Sequence, residues 1–228
     1  MCGRFVLFIP LQDVAKEFQV SQLSFGFEPD YNIAPSRNVP LVIRKTDNRL
    51  ILSRWGFVPV WADDPAIGNR MINARAETVT AKPAFKKAIT SQRCIVPANG
   101  FYEWRKTGGK KQPVYIRLKS ERLMAMAGIY NTWVSPSGET VNTFAIITTQ
   151  PNELIKEIHN RMPVLLRPDQ YEEWLQTEKL SPEALDAIFK PFPPEALEGH
   201  DVSPMMNAPA NNSPENIEPL EGHQGIIA

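Results

Sequence analysis

This chain predicts an α+β fold, a β-rich single domain with short peripheral helices, and three features predict it. Branched and aromatic residues gather in short runs bounded by turn-forming residues, as they do in strands. The 228 residues include 21 prolines, about twice the usual share, which favours loops and short strands over long helices. No repeat and no linker divides the chain, and its length suits one large core.

The elements follow in order. Arg4–Ile9 is apolar and branched enough for a strand. Leu11–Phe18 puts apolar residues at 11, 14, 15 and 18, one face of a helix. Val39–Lys45 and Leu50–Phe57 read as strands, with Asp47-Asn48 as the hairpin turn between them. Further strands are expected at Arg93–Pro97, Phe101–Arg105, Pro113–Leu118, Leu123–Trp133 and Val141–Thr149. Thr107-Gly108-Gly109 and Ser135-Pro136-Ser137-Gly138 punctuate them. Glu153–Ile158 follows Asn152, a good helix N-cap. Pro168–Leu175 and Pro182–Phe189 each open with proline in the first helical turn, where its missing N–H costs nothing. From residue 203 the chain is polar and rich in Pro and Asn. The expected division is a domain over residues 1–212 and a flexible C-terminal tail over 213–228.

Composition narrows the chemistry. Cys2 and Cys94 are the two cysteines, too few for a disulfide framework and without metal-ligand spacing. A reducing cytoplasm fits that usage, and neither a metal nor a cofactor is expected. The apolar run Phe5 to Pro10 is too short for a signal peptide or a membrane span. Net charge is zero but unevenly placed. Residues 1–122 hold 20 basic and 10 acidic residues, and residues 123–228 hold 5 basic and 15 acidic. Such asymmetry suggests a basic surface for an anionic partner, unless the two halves interleave and neutralise each other.

Several residues could carry chemistry, each with a plainer structural alternative. Cys2 follows Met1 directly. Removal of Met1 would leave an α-amine and a thiol on adjacent carbons, able to form an imine with an aldehyde and close it to a thiazolidine. The thiolate could also attack a carbonyl. The alternative is an incidental cysteine on a frayed end. Glu103 lies in Phe101-Tyr102-Glu103-Trp104, where strand alternation sets it on the face of Phe101 and Arg105. Burial among aromatics would raise its pKa toward acid–base use, unless it merely pairs with Arg105. His159, in Ile158-His159-Asn160-Arg161-Met162-Pro163, either transfers protons or caps a helix end. His200 and His223 lie near or in the expected tail. Asn73, Arg75 and Glu77 stand two residues apart and share a face if extended. Trp55, Phe57 and Trp61 lie beside Arg54 and Arg70, a mixture suited to stacked single-stranded bases or to core packing. No phosphate-binding loop, dinucleotide fingerprint or metalloprotease motif occurs.

Six blocks occur in one order: Met1-Cys2-Gly3-Arg4-Phe5, Tyr31-Asn32-Ile33-Ala34-Pro35, Arg54-Trp55-Gly56, Ile72-Asn73-Ala74-Arg75-Ala76-Glu77-Thr78, Phe101-Tyr102-Glu103-Trp104 and Ile158-His159-Asn160-Arg161-Met162-Pro163. Together they closely resemble the SRAP family, the SOS-response-associated peptidases, from residue 2 to about residue 212. Val202-Ser203 and Asn207 resemble its C-terminal block. The resemblance implies a compact β-rich fold with a basic DNA-binding groove and the processed N-terminus at its centre. It implies binding of single-stranded DNA, or of single-strand/double-strand junctions, and covalent capture of abasic sites in the DNA damage response. By motif match, Cys2 is the linking residue, Asn73 positions its amine, Glu103 serves acid–base steps and His159 shuttles a proton. Arg4, Arg75 and Arg161 hold phosphates, while Pro35 and Trp61 pack against bases. The sequence departs from the family at Asn160, where Asp is usual, and at Ala62, where some members have a second tryptophan. The family name also carries a thiol autopeptidase-type hydrolase, and reversal of the DNA link would be lyase-like. A non-covalent single-stranded DNA-binding module is the third alternative. The expected protein is a cytoplasmic monomer, nucleoid-associated in a bacterium, with no membrane partner.

Overall fold

The structure is a computed structural model that describes residues 2–120 and 122–220. Among these, the first half runs β1 (Phe5–Leu7), α1 (Leu11–Glu17), β2 (Asp30–Ile33), β3 (Asn38–Arg44), β4 (Asn48–Trp55), β5 (Asn73–Arg75) and α2 (Pro83–Ser91). Then come β6 (Arg93–Ala98), β7 (Gly100–Thr107), β8 (Lys110–Leu118), β9 (Met124–Val134) and β10 (Thr140–Thr149). The last part holds α3 (Glu153–Lys156), β11 (Met162–Pro163), β12 (Leu165–Leu166), α4 (Tyr171–Leu175), α5 (Pro182–Ile188) and β13 (Leu197–Asp201).

The strands form two sheets. The first has the order β13-β8-β7-β1-β2. In the second, β10, β4, β3, β6 and β9 pair in turn, and β9 pairs back to β10. That ring of pairings closes a small barrel, with β5, β11 and β12 added at its rim. Closure removes free edges and buries both faces where other elements cover the barrel. All of β6 is buried, as is β9 from Met124 to Asn131, which is why these segments read as near-continuous apolar runs. Among the described residues, only the β10–β4 and β10–β5 pairings are parallel.

Aromatic packing joins the sheets. Phe5 of β1 meets Trp55 of β4 edge-on at 5.0 Å, and Trp55 stacks with Phe144 of β10 at 6.3 Å. Trp55 also donates its Nε1–H to the carbonyl of Ile72 at 2.9 Å, so its one polar atom is satisfied inside the core. Gly100 opens β7 at a close approach, where a Cβ would lie 2.5 Å from the Ile116 carbonyl oxygen. Only glycine lets β7 start there beside β8.

The sequence reading finds β1, β3, β4, β6–β10, α1, α3, α4 and α5 within a few residues of their observed bounds. Asn152 does cap α3, accepting from the Ile155 amide at 2.9 Å. The reading lacks β2, α2, β11, β12 and β13, and has β5 only as a conditional extended course over residues 73–77. His200, expected near or in the tail, sits within β13 opposite Tyr115. Residues 213–220 also pack against the domain. Asn216 is buried, Val202 bridges Pro219, and the Leu220 amide donates to the Asp201 carbonyl at 2.8 Å. The rest of the expected tail, 221–228, lies outside the described residues. Among the described residues, no helix is long and apolar enough to cross a membrane.

Candidate active site

The site is assembled at the junction of the two sheets. β1 runs antiparallel to β7 with Phe5 opposite Phe101, and the Tyr102 amide donates to the Arg4 carbonyl at 2.9 Å. Continuing that antiparallel course carries residue 2 toward Glu103. Cys2 is fully buried. Its carbonyl accepts from Asn73 Nδ2 at 2.9 Å. Asn73 is the first residue of β5, which pairs in parallel with β10 opposite Ile146. Asn73 Oδ1 is buried and has no hydrogen-bond partner among the described residues. A buried acceptor in that condition awaits a donor.

The alternation expected for β7 holds. Phe101 enters the main core, while Tyr102 and Trp104 join a second cluster on the other face. Glu103 is 2% exposed. Arg105 does not serve as its counter-ion, since its Nη2 binds both carboxylate oxygens of Asp201 at 2.7 Å. Burial raises the Glu103 carboxyl from an ordinary 4.5 to about 7. His159 Nδ1 lies 3.8 Å from Glu103 Oε1, and burial lowers the imidazole pKa. Both displacements favour a neutral carboxyl beside a neutral imidazole over an ion pair, because desolvation penalises either charge. The same burial pushes the Cys2 thiol far up, and the Glu103 charge adds to it.

His159 follows α3, and its amide donates to the Ile155 carbonyl at 2.7 Å. Its Nδ1 accepts from the Arg161 amide at 3.1 Å, with the Arg161 carbonyl at 3.3 Å. The amide contact suits a neutral ring protonated at Nε2, and the carbonyl contact suits one protonated at Nδ1, so the Arg161 backbone faces the imidazole with a donor and an acceptor at nearly the same distance. β11 then pairs with β10, Met162 opposite Thr149. Four segments far apart in sequence thus bring Cys2, Asn73, Glu103 and His159 together.

The arginines divide. Arg75 is exposed. Arg161 is 7% exposed. Its Nη1 and Nη2 bind the two Glu77 oxygens at 2.5 and 2.9 Å, and Nη2 also donates to the Thr148 carbonyl at 2.5 Å. Arg4 is 8% exposed and also points inward. Its Nη1 donates to Asn32 Oδ1 at 2.5 Å and to the Met206 carbonyl at 3.0 Å, and Nη2 donates to the Asn207 carbonyl at 3.4 Å. Asn32 in turn donates to the carbonyls of Met206, Ala208 and Asn211. Arg4 and Asn32 therefore anchor the C-terminal segment behind the start of β1. Pro35 is half-buried on the loop after β2, and Trp61 is 59% exposed on the loop after β4. Both stand outside the hydrogen-bonded set around Cys2.

Sequence reasoning missed two working contacts here, Glu77 with Arg161 and Asn32 with Arg4. Each residue falls in a recognised block, but the partner lies 84 residues away in one case and 28 in the other. The extended course supposed for residues 73–77 also breaks. After Arg75 the chain turns, with the Val79 amide donating to the Arg75 carbonyl at 2.9 Å.

A β-rich domain thus buries the cysteine at residue 2 beside an asparagine, a carboxyl whose pKa lies at about 7 and a histidine, a set of side chains capable of nucleophilic and proton-transfer chemistry. The chain belongs to the SRAP family, described as SOS response associated peptidase, whose family model matches residues 1–209. It is 46% identical over 222 residues to the abasic site processing protein YoqW of Bacillus subtilis (strain 168), covering 96% of this chain and 99% of that one. The abasic site processing protein HMCES of Gallus gallus is 33% identical over 229 residues, covering 86% of this chain and 67% of that one. A crystal structure of a Bacteroides thetaiotaomicron protein matches 96% of this chain and 100% of its own, at TM-score 0.86 and 29% identity.

Proposed function

We propose that this protein binds single-stranded DNA and captures abasic sites covalently through Cys2 once Met1 is removed. The observation that carries the reading is the Cys2–Asn73–Glu103–His159 cluster, in a chain whose relatives are named abasic site processing proteins. Met1 itself lies outside the described residues.

The chemistry follows from the protonation states. Burial and the Glu103 charge suppress the thiolate of Cys2, so the first attack comes from the α-amine. The open-chain aldehyde of the abasic sugar takes the amine lone pair at carbon, and its oxygen takes a proton. Water then leaves as the imine forms. The thiol sulfur adds to the imine carbon, its proton passes to the nitrogen, and a thiazolidine closes. Glu103, with a pKa of about 7, is half protonated near neutrality. It can accept the ammonium proton or donate to the departing oxygen. Neutral His159 serves ring opening and release. Asn73 holds the Cys2 carbonyl and so aims the amine, an entropic gain.

The same thiol state speaks against a peptidase reading. A cysteine hydrolase draws on a ready thiolate, and burial raises the Cys2 thiol away from that form. Arg75, exposed at the end of β5, carries the phosphate contact, and Trp61 offers an open aromatic face to an unpaired base. Arg4 and Arg161 act from behind, through the segments that they tie down.

The test is incubation of the protein, Met1 removed, with an abasic single strand, followed by denaturing electrophoresis and peptide mapping. The expected result is one denaturation-resistant adduct at residue 2, lost in Cys2→Ala as a stable species and lost when Met1 is retained. A stable adduct mapped to Cys94 or to a lysine refutes it.

A further inference from the structure

We propose that Glu77 is a positioning residue of this site: its two-point ion pair with Arg161 fixes the turn from His159 to Arg161, so that the Arg161 amide holds His159 in the Nε2–H tautomer. The inference rests on the functional reading above only for the use made of His159, not for the geometry.

The argument starts from Arg161. Its guanidinium is almost wholly removed from water, with a side chain 8% exposed, while Glu77 is 43% exposed. A buried cation needs a partner, and Glu77 supplies one through parallel bonds to both Nη atoms. Arg161 holds the Glu77 carboxyl below the usual range, so the partner stays ionised. Gln150 Nε2 adds a bond to Glu77 Oε1 at 3.1 Å. The carbonyl of Thr148 then takes both Arg161 Nη2 at 2.5 Å and the Ala76 amide at 2.9 Å. Residues 76, 77, 148 and 161 form one knot.

That knot ties two parts of the site. Ala76 and Glu77 directly follow the strand that presents Asn73 and Arg75. Arg161 directly follows the turn that presents His159, and its amide is the donor to His159 Nδ1. With the side chain clamped at Glu77 and Thr148, the Arg161 backbone has little freedom, and its N–H stays on Nδ1. Without the clamp, the long arginine side chain no longer sets the backbone. The Arg161 carbonyl, already 3.3 Å from Nδ1 against 3.1 Å for the amide, then competes on better terms and draws part of the ring into the Nδ1–H form. Glu77 also borders a cleft of about 460 Å³ between α2 and α5, so a side chain of equal size can replace it without opening a void.

The experiment has two arms. Two-bond proton–nitrogen spectra of histidine-labelled protein without DNA separate the two tautomers, and a His159→Ala sample assigns the signal. The wild type is expected to show His159 as Nε2–H, and Glu77→Gln a mixture of both forms. Glu77→Asp keeps the charge but is too short to reach both Nη atoms, and is expected to show the same mixing should the glutamine variant not fold. An unchanged His159 tautomer in a folded variant overturns the proposal. In the second arm, adduct formation with an abasic single strand is expected to slow about tenfold in Glu77→Gln, as for a small misplacement of a catalytic group. Adding Glu77→Gln to His159→Ala is expected to cost little beyond His159→Ala alone, because the change acts through an imidazole that is already absent. Additive losses also overturn it. If the wild type forms no adduct at all, the functional reading fails, and the tautomer measurement still decides the role of Glu77.

Discussion

Replacing Glu103 by glutamine is expected to stabilise the folded protein at alkaline pH while slowing its chemistry. The carboxyl is 2% exposed, and burial raises its pKa from 4.5 to about 7. Folded protein therefore holds this proton more tightly than the unfolded chain does. Below pH 4.5 both states are protonated and the buried acid has no electrostatic cost. As pH rises from 4.5 through about 7, the unfolded chain releases its proton first, and folding stability falls. Above that window the cost is complete, about 3 kcal/mol at ~1.36 kcal/mol for each pH unit between the two values. Glutamine has nearly the same shape and no charge to bury. Its stability relative to wild type should thus be near zero at pH 4.5 and rise to about 3 kcal/mol by pH 8.5. In a chain of this length that corresponds to roughly 6–12 °C in Tm. The assay is urea unfolding of both proteins across that pH range, with adduct formation measured in parallel. The adduct rate should drop, since an amide neither gives nor takes the proton as the carboxyl does. If the stability difference is the same at pH 4.5 and pH 8.5, Glu103 does not carry a burial-raised pKa, and its acid–base role falls with it.

Two further outcomes are expected. Arg93 is 3% exposed and donates to the carbonyls of Ile89, Thr90, Trp174, Gln176 and Glu178. Arg93→Met should therefore lower stability by about 3–5 kcal/mol, because it strands buried and part-buried acceptors on α2, on α4 and on the segment that follows α4; a loss under about 1 kcal/mol in urea unfolding would show that water replaces those bonds. Trp61 is 59% exposed, so Trp61→Ala should leave the unfolding midpoint alone. It should weaken single-strand affinity by about 1–3 kcal/mol, the worth of one stacked base; unchanged affinity in fluorescence anisotropy would remove Trp61 from the DNA contact.

Local chemistry already written in the chain determined most of the strands and three ends that could be named. Asn152 caps α3 because a short polar side chain reaches the orphan amide of Ile155, whatever the tertiary context. Pro168 and Pro182 begin helical turns because a fixed φ suits the first turn. The face assignment of Glu103 followed from strand alternation alone, and the six ordered blocks were enough to place the chain in its family.

What the sequence could not determine depends on partners distant along it. The segment Leu197-Glu198-Gly199-His200-Asp201 has little strand preference of its own, yet becomes β13 by hydrogen bonding along β8 over five registered residues. α2 lacks a side-chain N-cap, and three buried residues, Phe85, Ala88 and Ile89, hold it in place. Arginine in a motif reads the same whether it faces water or protein. Only the fold sent Arg4 to Asn32 and Arg161 to Glu77, leaving Arg75 exposed. The 3.8 Å between Glu103 and His159 is likewise a product of the sheet junction. Desolvation sets their pKa values, and desolvation exists only once residues from both ends of the chain have closed around the site.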